Sequence, residues 1–131
     1  MPLNLLWLFL GGGLGSLGRY LMSSQLHRWF PHPFPVGTLC VNLLGCFLIG
    51  VIAHWLSNQP NSQTLSLFLI TGILGGFTTF SAFGLETVLL IRNGSLGLAL
   101  LYVFGSVGLG LAAVFLGSEV AKWAFHLRAG G

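Results

Sequence analysis

The sequence has very few charged side chains, with five Lys or Arg and two Asp or Glu among 131 residues. A soluble domain is about one quarter charged. Because 54% of this chain is also apolar, we expect lipid rather than water to be its main solvent. The surplus positive charges are too few and too scattered to form a nucleic-acid surface, and they are better suited to lipid headgroups.

Recognisable chemical sites are also missing. Cys40 and Cys46 lie in one apolar segment, off helical register, and we interpret them as packing residues rather than a disulfide. The histidines show no metal-ligand spacing, and the sequence has no Ser-His-Asp set, carboxylate pair, Walker loop or dinucleotide fingerprint. We therefore predict no enzyme. No cleavable signal is expected, since the N-terminal apolar stretch lacks a basic start and outruns a signal core.

The sequence does contain long apolar runs. A bilayer-spanning helix needs about 20 mostly apolar residues, and four segments qualify, separated by short polar or proline-rich links. These segments are residues 3–26, 36–56, 64–91 and 96–125. The sequence predicts an all-α, multi-pass membrane protein with four transmembrane helices in a single domain, residues 1–131.

The positive charges do not select one orientation in the membrane. Lys122 and Arg128 fall on the side of both termini, whereas Arg28 and Arg92 fall on the other side, together with Arg19 if it reaches the interface. Such a balance is compatible with a chain that inserts both ways and forms an antiparallel two-fold dimer. It is equally compatible with one orientation that is fixed by a weak bias.

Glycines recur at helix-packing positions. Gly11 and Gly15 in the first span, and Gly72 and Gly76 in the third, have the four-residue spacing of close helix contacts. Small faces of this kind let backbones approach closely within lipid. They predict a tight bundle more firmly than they predict a dimer.

The middle of the third predicted span is unusual for a membrane helix. From Gly75 to Phe80 it reads GGFTTF. Glycine weakens a helix, and threonine can bond nearby backbone groups, so we expect the helix to break here. Irregular backbone at membrane depth persists only inside protein or beside a wet cavity, and freed carbonyls can hold a cation. The alternative is a continuous helix whose glycines admit a neighbour.

Five other residues require an explanation at membrane depth. Phe80 and Phe83 share one helix face and form either core packing or a lining whose positive ring edges attract an anion. Asn42 needs a hydrogen-bond partner, either an anion or a neighbouring carbonyl. Glu86 is the one acid well inside a span and therefore a functional candidate, unless a residue such as an Arg neutralises it. Arg19 either snorkels outward or lines a positive vestibule.

Taken together, these residues resemble the Fluc (CrcB-type) fluoride channel family. The resemblance rests on GGFTTFSAF at 75–83, GTLCVNLLG at 37–45 and the glycine-rich GGGLGSLGRY at 11–20, and it covers essentially the whole chain. It implies passive export of fluoride from the cytoplasm across a bacterial inner membrane, which reduces fluoride toxicity. It also implies an antiparallel, dual-topology homodimer with two pores.

The resemblance further implies roles for individual residues. Phe80 and Phe83 would be the pore phenylalanines, contributed by different subunits to each pore. Asn42 would contact fluoride near the vestibule, and Arg19 would help to form the electropositive entrance. A track of hydroxyls and carboxylate beside the phenylalanines would include Thr79, Ser81, Glu86, Tyr102 and Ser106.

A structural sodium ion is the cofactor that the resemblance implies. The backbone carbonyls of Gly75 and Thr78 from both subunits would hold it on the two-fold axis. The hydroxyl track would be thinner here than in some family members, since Ala82, Gly110 and Val114 stand where those members carry hydroxyls. Tyr102 and Ser106 are the remaining candidates on the fourth span.

Two other functions stay open from the residues alone. A proton-coupled exporter of organic cations would need a substrate-binding carboxylate, for which Glu86 is the candidate, although its helix neighbours do not form an aromatic cation cage. A subunit that assembles without transporting anything is the other alternative.

Overall fold

The computed structural model describes residues 2–60 and 62–129, and their regular secondary structure is helical. Helix α1 spans Pro2–Trp29 and α2 spans Val36–Ser57. Helix α3 consists of the consecutive segments Gln63–Ser66, Leu67–Leu74 and Gly75–Phe77. Helix α4 spans Phe80–Arg92 and α5 spans Leu96–Ala129.

The prediction of four transmembrane helices is confirmed. The candidate spans are Leu3–Trp29, Val36–Ser57, Gln63–Arg92 and Leu96–Leu127, of which the third contains both α3 and α4. The first and fourth helices extend a few residues further than predicted. At about 1.5 Å per residue, the 34 residues of α5 form a helix longer than a hydrocarbon core of about 30 Å, so part of α5 extends beyond that core.

Proline and glycine separate the helices. Pro31, Pro33 and Pro35 occupy the connection between α1 and α2, where their fixed φ and missing N–H exclude a continuous helix. Gly94 has φ 76° in the turn between α4 and α5, a left-handed conformation that glycine adopts without steric cost. The helices on either side of each connection can therefore turn back into the bundle.

The segment Leu67–Leu74 is π-helical, a feature that we did not predict. π-Helical turns are rare and often accompany functional sites. This segment lies directly against α1, where the Cβ of an alanine at Gly11 would come within 2.7 Å of the carbonyl oxygen of Phe68. Its apolar residues are equally compatible with an ordinary α-helix, so the sequence carries no signal for the wider turns.

Glycines allow two pairs of helices to pack backbone against backbone; the contact between the first and third spans was predicted from the sequence, whereas the one made by Gly117 was not. Helices α1 and α3 are in contact at Gly15, where an added Cβ would lie 2.0 Å from the carbonyl oxygen of Ile73. Helices α5 and α2 are in contact at Gly117, where an added Cβ would lie 2.1 Å from the carbonyl oxygen of Phe47. Both distances are far below van der Waals contact, so a methyl group at either position requires the helices to move apart.

Gly15→Ala is therefore expected to destabilise the bundle by about 1–3 kcal/mol, the usual cost of overpacking. Its matched control is Gly13→Ala on the same helix, since an added Cβ there meets no atom of the described chain within 4 Å. Thermal denaturation in detergent, followed by size-exclusion chromatography, measures the difference. Equal midpoints for the two variants would contradict the close packing of α1 on α3.

Candidate functional site

The third span is broken at two residues, Thr78 and Thr79, close to its middle. Thr78 has φ −80° and ψ 159°, and Thr79 has φ −151° and ψ 120°, so both are extended. The predicted break is confirmed, but it is narrower than expected because Gly75 and Gly76 remain helical. Gly76 instead provides room for α1, since an added Cβ there would lie 2.4 Å from the carbonyl oxygen of Gly12.

Asn42 on α2 binds both backbone groups of the break. Its Nδ2 donates to the carbonyl oxygen of Thr79 at 3.0 Å, and its Oδ1 accepts from the Thr79 N–H at 2.8 Å. A side-chain amide carries one acceptor and a donor group at its tip. Asn42 therefore supplies the acceptor that the Thr79 N–H loses at the break, and it adds a second donor to the Thr79 carbonyl oxygen, which as the N-cap carbonyl also accepts the first bond of α4. The Nδ2 group of Asn42 carries two hydrogens, and the bond to the Thr79 carbonyl oxygen uses only one of them.

Two further contacts fix the break. The Thr79 hydroxyl accepts from the Ala82 N–H at 3.2 Å and so caps the N-terminus of α4. Gly45 on α2 faces Thr78, and an added Cβ there would lie 2.2 Å from Thr78 Cγ2. Asn42 and Gly45 lie one turn apart on α2, so the GTLCVNLLG segment supplies both the polar partner and the space that the break needs.

The same contacts release two carbonyl oxygens. In a continuous helix the Gly75 carbonyl would accept from the Thr79 N–H, but that N–H donates to Asn42. The Thr78 carbonyl would accept from the Ala82 N–H, but that N–H donates to the Thr79 hydroxyl. Neutral carbonyl oxygens without their helical donors are suitable ligands for a hard cation. No group of three or more His, Cys, Asp or Glu side chains suited to a metal occurs in residues 2–60 and 62–129.

The aromatic residues at the start of α4 line a groove next to the break. The rings of Phe80 and Phe83 lie 5.4 Å apart between centroids, with an interplanar angle of 39°. Phe80 is 83% exposed, whereas Phe83 is partly buried. Both line a groove of ≈ 370 Å³ whose other walls include the following predicted site residues: Asn42, Gly75, Thr78, Thr79 and Ser106.

Glu86 is held by two hydroxyl groups rather than by an arginine. Thr38 Oγ1 donates to Glu86 Oε1 at 2.7 Å, and the Tyr102 hydroxyl donates to Glu86 Oε2 at 2.7 Å. Thr38 is 6% exposed and Tyr102 is 0% exposed. The carboxylate therefore has a fixed orientation between α2 and α5, with a hydroxyl donor at each oxygen.

Two polar cavities meet at Glu86, and we call them together the vestibule. They have volumes of ≈ 320 Å³ and ≈ 370 Å³ and share Ser23, Ser24, Thr38 and Glu86. The deeper cavity also reaches Arg19 and Thr79, and the outer one reaches His27 and His32 at the α1–α2 connection. Thr79 lines both the vestibule and the phenylalanine groove, so it connects the two.

The remaining predicted positions lie at different depths around this path. Ser81 is exposed, and its hydroxyl lies 3.3 Å from that of Thr79. The Ser106 hydroxyl is buried at the groove and has no hydrogen-bond partner within the described residues. Ala82 lines the vestibule without contributing a hydroxyl. Gly110 and Val114 instead face α2, where Cys46 and Gly50 lie against them.

Sequence reasoning missed Thr38 as a site residue. The signal was available, because Thr38 precedes Asn42 by four residues and therefore shares its helix face. Its partner Glu86 is 48 residues away, and no local pattern relates the two positions. Phe34, which contacts Tyr102 from the α1–α2 connection, was missed for the same reason.

Comparison with known proteins identifies relatives along most of the chain. The family model described as CrcB-like protein, Camphor Resistance (CrcB), matches residues 6–118. A protein named fluoride-specific ion channel FluC from Novosphingobium aromaticivorans is 44% identical over 116 residues, which are 86% of this chain and 91% of the relative.

Two further relatives carry the same name. The protein from Paracoccus denitrificans is 49% identical over 116 residues, or 88% of this chain and 92% of the relative. The protein from Helicobacter acinonychis is 42% identical over 124 residues, or 93% of this chain and 98% of the relative. Together with the four apolar spans, these matches show a multi-pass integral membrane protein, and the chain belongs to the CrcB family.

Proposed function

We propose that this chain is a fluoride-selective ion channel, which conducts fluoride passively out of the cytoplasm through a bacterial inner membrane and so lowers fluoride toxicity. The names of the three relatives support a channel rather than an enzyme. The observation that carries the proposal is that Thr79 lines two cavities. It lines the vestibule, which Arg19 also lines, and the groove lined by Phe80 and Phe83.

The chemistry along this path suits a small anion. An unpaired ion in an apolar medium faces a solvation cost of tens of kcal/mol in the idealised limit. Arg19 supplies a positive charge at the vestibule, and the Thr79 hydroxyl, whose oxygen accepts from the Ala82 N–H, still carries a proton that can be donated to the anion. The N-terminus of α4 adds a positive partial charge at the break. The edges of Phe80 and Phe83 then attract the anion weakly, which favours release over trapping.

We further propose that the channel is an antiparallel, dual-topology homodimer with two pores. In one copy of the chain Phe80 is 83% exposed, so the phenylalanine groove is walled on one side only. Added Cβ atoms at Gly105 and Gly108 meet no described atom within 4 Å, which leaves this small face of α5 free to pack against another helix. A second copy over Phe80 would complete the groove, and the nearly even distribution of Lys and Arg is compatible with insertion both ways.

A structural sodium ion fits the break of such a dimer. The Gly75 and Thr78 carbonyls of both subunits would hold it, since each has lost its helical donor. When bound, the ion would supply a fixed positive charge and satisfy oxygens that are costly to leave unpaired at membrane depth. It would remain in place rather than move with the fluoride.

Replacing sodium is therefore expected to lower the flux. Liposomes and external solution prepared with N-methyl-D-glucamine in place of sodium should show slower fluoride efflux, and re-addition of millimolar sodium should restore it. A fluoride-selective electrode records both phases. Equal rates in the two solutions, with no sodium retained by the dialysed protein in atomic emission, would contradict the sodium site.

The decisive experiment for the channel itself uses liposomes that contain only this purified chain. We expect loaded fluoride to leave without any coupled ion once a potassium ionophore balances the charge, and loaded chloride to remain inside. Glu86→Gln tests the exporter alternative, since an obligatory substrate carboxylate is lost there. The amide oxygen still accepts from one of the two hydroxyls, Thr38 or Tyr102, and the other hydroxyl can turn to accept from the amide N–H. Absence of fluoride efflux from the unmodified protein, or organic-cation transport that disappears in Glu86→Gln, would refute the channel.

A further inference from the structure

The buried Tyr102 is enclosed by aromatic rings on two sides. The ring of Phe83 lies 5.1 Å from it at an angle of 54°, and the ring of Phe34 lies 5.5 Å from it at an angle of 76°. Together with Phe80, these residues form a row of four rings from the α1–α2 connection to the helix break. All three centroid distances fall within the range of favourable aromatic pairs.

Tyr102 connects this row to the carboxylate in the vestibule. Its hydroxyl donates to Glu86 Oε2 at 2.7 Å, and its side chain is 0% exposed. A tilt of the Tyr102 ring would therefore change both the position of Phe83 and the hydrogen bond to Glu86. Whatever holds the far side of this ring also fixes the geometry of the proposed pore.

Phe34 is the residue on that far side, and its backbone is well fixed. Its N–H donates to His32 Nδ1 at 3.0 Å, and its carbonyl oxygen accepts from the Val36 N–H at 2.8 Å. Prolines at 33 and 35 fix the backbone on either side of it. The ring in T-shaped contact with Tyr102 is thus presented by a short, constrained segment.

The neighbouring aromatic residues of the connection behave differently. Trp29 is 71% exposed and Phe30 is 53% exposed, and both line an outer apolar cavity rather than the vestibule. Phe34 lines the outer vestibule cavity as well as that apolar cavity. Its inward contact is therefore not a general property of aromatic residues at the membrane interface.

We propose that Phe34 is a positioning residue for ion conduction, which holds Tyr102 so that Phe83 and Glu86 keep their places along the fluoride path. The proposal rests on the channel function proposed above. Phe34 itself needs no contact with the ion, since its effect is transmitted through one buried ring.

The test compares fluoride efflux from liposomes for three variants of the full chain. Phe34→Ala is expected to slow efflux about tenfold, an effect of the size found for residues that act through a coupled neighbour. Phe34→Tyr, which keeps the ring, should restore nearly the original rate. Phe30→Ala, from the same connection, should leave the rate within about twofold, as most exposed substitutions do.

A double-mutant cycle separates positioning from general destabilisation. In a Tyr102→Leu background, Phe34→Ala should cause less than about a twofold further loss, because its partner is already absent. An equal fractional loss in both backgrounds, or an unchanged rate in Phe34→Ala, would overturn the proposal. If Phe34→Ala does not purify as a single species, Phe34→Leu removes the ring while it keeps most of the apolar volume, and the same comparison applies. An inactive unmodified protein would refute the channel function, whereas an active one with an additive cycle refutes only the role of Phe34.

Discussion

Phe83→Ile is expected to reduce fluoride efflux up to about tenfold, and Phe80→Ile should have an effect of similar size. Edge contacts between aromatic rings contribute about 0.5–1.5 kcal/mol, and we expect an anion at the same positive edge to gain an energy of this order; about 1.4 kcal/mol in a barrier corresponds to a factor of ten in rate. Isoleucine fills much of the same space but has no positive edge. The two variants therefore remove the electrostatic lining of the groove while its walls stay apolar, and a fluoride-selective electrode measures the resulting rate.

Phe9→Ile provides the matched control for these variants. Phe9 lies on α1, is 77% exposed, and lines neither the groove nor the vestibule. Its substitution should leave efflux unchanged. Efflux at the original rate in Phe80→Ile and Phe83→Ile would show that the rings only pack, which is the simpler interpretation of two phenylalanines on one helix face.

Much of the fold followed directly from composition and spacing. Four apolar runs of sufficient length predicted the four spans, and prolines 31, 33 and 35 marked one connection. The helix break was also predictable, because GGFTTF combines residues that weaken a helix with residues that bond the backbone locally. Within that stretch, however, the glycines stay helical and only Thr78 and Thr79 become extended.

The limits of the break depend on contacts that no local pattern encodes. Gly76 stays helical, and its missing side chain admits the backbone of Gly12 on α1. Asn42, 37 residues earlier, stabilises the extended Thr79, because its Oδ1 replaces the helical acceptor of the Thr79 N–H and its Nδ2 donates to the Thr79 carbonyl oxygen. Propensity within one segment cannot identify such partners, and tertiary contacts routinely override it.

The polar site shows the same division. The sequence identified Glu86 as an acid whose presence inside a membrane span requires an explanation. It also identified Asn42 and Arg19 as candidate site residues. It did not identify the hydroxyl donors to Glu86, which come from Thr38 on α2 and Tyr102 on α5. A polar side chain that needs hydrogen-bond partners can be recognised within one segment of the sequence, whereas the groups that supply those hydrogen bonds lie on other helices.

Asn42→Leu is expected to abolish fluoride efflux and to destabilise the protein by about 1–4 kcal/mol. It leaves the Thr79 N–H without an acceptor and removes one of the two donors to the Thr79 carbonyl oxygen; a buried polar group left unpaired costs about 1–3 kcal/mol, and a lost hydrogen bond about 1 kcal/mol. The matched control is Asn58→Leu, since Asn58 is exposed and its amide donates to the His54 carbonyl oxygen at the end of α2. Thermal denaturation in detergent and electrode-recorded efflux measure the two effects on each variant.

Asn42→Asp separates the two roles that the amide combines. A carboxylate still accepts from the Thr79 N–H but cannot donate to the Thr79 carbonyl oxygen, and it places a negative charge beside the phenylalanine groove. Efflux should therefore fall as far as in Asn42→Leu, while the loss of stability should be smaller because one of the two bonds remains. If Asn42→Asp conducted fluoride at the original rate, conduction would require neither the N–H donor of this amide nor its lack of charge. If Asn42→Leu also kept its stability, the break would keep its shape without the two hydrogen bonds from Asn42, and the residues of the third span alone would determine the site.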